Sequence, residues 1–166
     1  MYYKVSDFMD DWNYESEATL KLFRTLSDKS LSQKVWEEGR TLGDLAWHIT
    51  TSVGEMLDKT GLKNELPQQM ENIPNAVAEF VATYEKASAF VKETIPAKWK
   101  DETLLEEVNM YGENWKNGRT LSVLLGHQIH HRGQLTVLMR QAGLKVPGIY
   151  GPAKEEWAAY GMPAQK

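Results

Sequence analysis

Four stretches of the chain place apolar residues at spacings of three and four, the repeat of a helix with one buried face. The first runs from about Val5 to Leu26, with Phe8, Trp12, Thr19, Leu22, Phe23 and Leu26 along its stripe. The second opens on Thr41, an N-cap with Asp44 three residues later, and carries Leu42, Leu45, Ile49, Val53 and Met56 to about Gly61. The third is expected from Asn72-Ile73-Pro74, where proline suits a first turn, through Val77, Phe80, Val81, Tyr84, Ala87, Val91 and Ile95, stopping before Pro96. The fourth is expected to take Thr120 as its N-cap, to bury Leu121, Leu124, Leu135, Leu138, Met139 and Ala142, and to end on Gly143. The pattern predicts an all-α chain: a four-helix bundle with a long connection between the third and fourth helices and an irregular C-terminal tail.

In that connection, about Ala97 to Arg119, the residues Leu104, Leu105, Val108 and Met110 predict a short structured piece, helical or extended. The tail, LKVPGIYGPAKEEWAAYGMP, is broken by Gly and Pro, and Val146, Ile149, Tyr150, Trp157 and Tyr160 are expected to pin it to the bundle. Such an anchored segment either shapes the mouth of a site or covers an open helix face.

Composition narrows the function. The 166 residues suit a single domain, 1–166, with 42% apolar residues to fill one core. No apolar run approaches a membrane span. The opening MYYKVSDFMDDW has acids where a signal peptide has a basic head, which predicts a cytoplasmic protein. The formal charge is −4 and the basic residues are scattered, so the footprint of a nucleic-acid binder is missing. With no Cys, a metal can be held only by His, carboxylates, hydroxyls or water.

The chain echoes itself once. Residues 36–48 read WEEGRTLGDLAWH and residues 115–127 read WKNGRTLSVLLGH. Trp, Gly, Arg, Thr, two Leu and the closing His recur in the same order, too many matches for chance in a short chain. The echo predicts that Thr41 and Thr120 cap two helices built alike, which present His48 and His127 from the same depth.

His127 and His131 stand one turn apart on one helix face. With His127 at 0° and about 100° per residue, the apolar face of the fourth helix centres near 80°, His131 lies at about 40°, and His130 at about −60°, toward solvent. His48 has the same rim position on its own helix. The three predict one divalent-metal site of His48, His127 and His131. Three His with an open position is a catalytic rather than a closed structural arrangement for zinc, and nickel, iron or manganese also use such ligands. Each histidine taken singly would be a hydrogen-bonded residue at the edge of the core.

Several other residues near these positions have two readings. Ser52 occupies the position matching His131 but its hydroxyl is a weak ligand. Glu55, two turns beyond His48, is either a base or orienter for the site or a surface acid. Gln134 flanks the metal helix. Arg132 is either an anion holder at the mouth or a solvated cation. Tyr84 either offers a phenol to the site or packs in the core. Arg40 and Arg119 are expected in structural roles, binding helix-end or loop carbonyls or neighbouring acids, ahead of the alternative of a role toward substrate.

The His127-xxx-His131-Arg132-Gly133-Gln134-Leu135 stretch, the upstream TLxxLxxH segment ending in His48, and the closing RQAGLKVPGIYGP resemble the DinB/YfiT-like metalloenzyme superfamily, most of all its DinB-type damage-inducible family. The resemblance runs over nearly the whole chain. It implies a bundle whose His48, His127 and His131 bind a divalent metal, and a homodimer. Relatives that use low-molecular-weight thiols imply an S-transferase acting on a small-molecule substrate, and others labelled as hydrolases imply metal-dependent hydrolysis. Beside these enzyme readings stands a non-catalytic metal-binding stress-response protein.

Overall fold

The computed structural model describes residues 1–164. Four helices form the bundle: α1 (Val5–Phe23), α2 (Leu42–Lys59), α3 (Val77–Lys98) and α4 (Asn117–Gln141). Helix α1 packs mainly on α3 and α4, and α2 on α4 and α3, so α1 and α2 stand diagonally opposed. The apolar faces meet in one core, where Phe8, Trp12, Phe23, Phe80, Tyr84 and Leu121 are fully buried. No helix is long and apolar enough to cross a membrane.

Helix α2 begins as its sequence says. The Thr41 hydroxyl accepts from Asp44 N–H at 3.0 Å, and the Asp44 carboxylate accepts from Thr41 N–H at 2.8 Å. The starts of α1 and α3 are set from a distance. Val5 N–H donates to Asp101 and Val77 N–H to Asp28, each at 2.8 Å. A carboxylate at a helix start satisfies an orphan donor and the positive end of the dipole. This is why α3 starts at Val77 rather than near Pro74. Its end also differs from expectation, since α3 runs through Pro96 to Lys98. Proline in the last turn removes only one bond, the one to the Lys92 carbonyl.

The long connection is both helical and extended. A 3-10 turn (Asp101–Leu105) leads into the antiparallel hairpin of β1 (Glu107–Met110) and β2 (Glu113–Lys116). Tyr111 and Gly112 make its tight turn with φ of 57° and 89°. Leu104 and Met110 are buried, whereas Leu105 is exposed. Strand β2 runs straight into α4, so Thr120 lies inside the first turn and is not the N-cap. Asn117 N–H donates to the Glu106 carbonyl at 2.9 Å, and the hairpin launches the helix four residues early, with Lys116 at the N-cap position.

The tail lies over α1 and α4 and is held by polar contacts and by Tyr150, whose ring stacks on Tyr14 at 6.0 Å and whose hydroxyl donates to Glu15 at 2.8 Å. Lys21 Nζ donates to the Gly148 carbonyl at 2.8 Å, Tyr14 donates to the Ile149 carbonyl, and Arg140 pairs with Glu155 at 2.5 Å. Val146 and Ile149 pack on the core, but Tyr160 is exposed and pins nothing.

Candidate metal centre

Helix α2 carries His48, and α4 carries His127 and His131. Because α2 and α4 pack together, the three rings meet. Their centroids lie 4.8 Å (His48–His127), 4.6 Å (His48–His131) and 4.3 Å (His127–His131) apart. One nitrogen from each lies within 4.8 Å of the others, so the three are placed to hold a metal ion. No carboxylate joins the group among the described residues. His130 is exposed, as its angle predicts, although its ring lies 4.9 Å from that of His131.

The chemistry of the rings fits a cation. Burial, helped by the Arg40 charge and by His131, pushes His48 down to about 4. Burial and the neighbouring histidines push His127 down to about 4. His131 is lowered by burial too, against an opposing hydrogen bond from Gln134. All three are neutral near pH 7, the form that ligates metals. The His127 Nδ1 is buried without a hydrogen-bond partner. A bare buried imidazole nitrogen is costly, and none of the protein's own groups answers it.

Gln134 orients the site. Its side-chain oxygen accepts from His131 Nδ1 at 2.7 Å, and its amide nitrogen donates to His130 Nε2 at 3.1 Å. With the proton on Nδ1, His131 keeps Nε2 free as a ligand. Behind the rings, the buried Gln128 ties three helices together. Its amide donates to the Ile49 carbonyl at 2.8 Å and to Ser52 Oγ at 3.2 Å, and its oxygen accepts from Tyr84 at 2.9 Å. Ser52 and Tyr84 are therefore engaged in the core. Glu55 accepts from the Tyr111 hydroxyl at 3.2 Å instead of facing the rings.

Two arginines depart from expectation. Arg132 neither holds anions at the mouth nor meets solvent. It is 3% exposed and pairs with Glu15, and it donates to the Glu15 carbonyl at 2.9 Å and to the Tyr150 hydroxyl at 2.6 Å. The helical angle held the signal: Gln128 falls at about 100° and Arg132 at about 140°, inside the apolar half of α4. Arg119 has the structural role expected, lying 4.4 Å over the Trp115 ring and 4.0 Å from Glu113. Arg40 does not: it has no ion pair among the described residues and lines a cavity with His131.

That cavity, about 560 Å³, is walled by Val35, Trp36, Leu45, Val137 and Leu138. The segment before α2 shapes it, and among the described residues none of the tail lines it.

A sequence model of the DinB family matches residues 1–166. The chain belongs to the DinB family. Within this family it is 44% identical to the uncharacterized protein YrdA of Bacillus subtilis (strain 168), over 100% of this chain and 99% of that one. The crystal structure of a DinB-like protein from Bacillus cereus ATCC 10987 superposes with a TM-score of 0.87, at 40% identity, over 90% of this chain and 100% of the other. A second DinB-like protein, YjoA of Bacillus subtilis, shares the fold with a TM-score of 0.68 at 21% identity, over 86% of this chain and 97% of that one.

Proposed function

We propose that this DinB-family chain is a metal-dependent enzyme that works on a small molecule at a divalent ion held by His48, His127 and His131. The observation that carries this reading is three neutral imidazoles without a closing acid, one of them lining an open cavity of about 560 Å³. A structural metal site is closed by protein, whereas a catalytic one keeps a position for its ligand. Zinc, nickel, iron or manganese would suit the donor set. When bound, such an ion acts as a Lewis acid and lowers the pKa of a coordinated water or thiol.

The chain's own residues hold and orient. Gln134 sets the His131 tautomer, Gln128 locks α4 against α2, and the apolar cavity walls offer a surface for the body of a small molecule. Thiol-dependent S-transfer, with a low-molecular-weight thiol as partner, and hydrolysis are the two reaction types, with transfer ahead. A non-catalytic metal-binding stress-response role is the second reading, favoured by the missing base: Glu55 is turned to Tyr111 and no acid stands beside the rings among the described residues.

The test is elemental mass spectrometry on tag-free protein, followed by turnover assays with the metal found. About one ion per chain is expected, lost in H48A, H127A and H131A, with affinity reduced roughly tenfold or more in Q134L. Unchanged metal content in H131A would sink the site. Full loading with no thiol transfer or hydrolysis across a broad substrate panel would favour the second reading.

A further inference from the structure

The cavity beside His131 has a charge pattern that selects its ligand. Three neutral imidazoles bring no negative charge, so an ion among them keeps its full charge. Arg40 adds a cation to the same cavity, unpaired by any acid among the described residues. Glu38, also on the lining, offsets only part of this. The remaining walls are apolar, and three of them are left open to solvent: Trp36 is 63% exposed, Val35 54% and Val137 54%. A cavity of this size suits a small ligand that buries most of its surface, and exposed apolar side chains around it mark a surface awaiting cover.

The duplicated segment shows that Arg40 is not needed for local structure. Arg119, its counterpart, lies on its own Trp115 and near Glu113. Arg40 has no such contact and faces the cavity. A guanidinium is a planar fork matched to a carboxylate. A phosphate dianion would call for more cations, and no second Lys or Arg lines the cavity.

We propose that this cavity binds small carboxylates with an apolar body, the carboxylate on Arg40 and the body against Trp36, Leu45, Val137 and Leu138. This names a ligand class for the proposed enzyme and rests on that reading only in placing the ion next to the ligand; the pairing with Arg40 stands without it. Such a ligand covers the open apolar walls and neutralises Arg40 in one step.

Isothermal titration calorimetry with 4-phenylbutanoate, its primary amide and 4-phenylbutylamine tests this on metal-free and zinc-reconstituted protein. The three probes share a shape and differ in charge. The acid is expected to bind both forms, more tightly with zinc, and the amide and amine weakly. R40Q should weaken the acid roughly tenfold in both forms without changing the amide, as expected for loss of a charged hydrogen bond. R119Q should match wild type, E38Q should bind the acid slightly better, and thermal melts should show that all three variants are folded. Acid and amide of equal affinity, or an acid indifferent to R40Q, would overturn the proposal. So would an amine that binds best and depends on Glu38, or a chain whose copies bury Trp36 against each other and bind no probe. If zinc does not bind but the acid still depends on Arg40, the metal reading fails and this one survives. Zinc at full occupancy without acid binding means the reverse.

Discussion

Residues 36–48 and 115–127 begin with the same letters and are used differently. In the first copy Trp36 to Arg40 form an irregular segment ahead of the Thr41 capping box. In the second, Trp115 sits on β2 and the helix is under way at Asn117. The glycines differ in the same way. The nearest atoms to a Cβ on Gly39 would be those of the Trp36 ring, at 2.9 Å, whereas a Cβ on Gly118 would collide with the Tyr2 backbone carbonyl. Beyond the shared histidine, equivalent positions diverge again. Ile49, Ser52, Val53 and Glu55 in α2 answer to Gln128, His131, Arg132 and Gln134 in α4. One copy supplies apolar core and a single histidine of the triad; the other supplies two and the buried polar network beside them. The lesson is that a repeated motif transmits a helix register, while its neighbours in space decide what each register position does.

The largest expected effect breaks that contrast at the fifth position after the histidine. Arg132→Met leaves Glu15 buried without its cation and should cost about 3–5 kcal/mol of stability in urea denaturation. Replacing Glu15 as well, in E15L/R132M, should restore much of it. A single-variant loss near zero would mean that the polar copy is held by something other than this pair.

Next come the glycines. G118A should cost about 2–3 kcal/mol, since backbone on both sides must move, and G39A under about 0.5 kcal/mol, since Trp36 can swing into solvent. Equal losses from the two would remove the distinction between a helix start wedged under the N-terminus and a free-standing cavity wall.

The smallest effect concerns the one respect in which the copies agree. His48 and His127 both have proton affinities pushed from 6.5 to about 4. The unfolded chain therefore binds these protons first as pH falls. Stability of the metal-free protein is complete above about pH 6.5 and declines as pH drops toward 4. H48N and H127N should each remove part of that slope in melting curves against pH, and the double variant more than either. Bound metal should leave in the same window, because protons compete for the same nitrogens. A slope untouched by either substitution would assign it to carboxylates elsewhere.

The chain by itself determined the faces of its four helices, the inward rim positions of His48, His127 and His131, and the outward turn of His130. These follow from spacing along one helix, a property that each segment carries alone. Only the tertiary structure decided where α3 and α4 begin, because the groups that cap or launch them, Asp28 and Glu106, come from other parts of the chain. It also decided the fate of the polar residues. A helical angle placed Gln128 and Arg132 toward the core, but whether a buried polar group is tolerable depends on partners such as Ile49, Tyr84 and Glu15, which arrive from other helices. Arg40 and Arg119 had identical neighbours in sequence, and only packing gave one an aromatic ring and the other an open cavity. Periodicity reports one helix against an averaged interior; hydrogen bonds and ion pairs need a specific second group at about 3 Å, and that distance exists only once the helices have met.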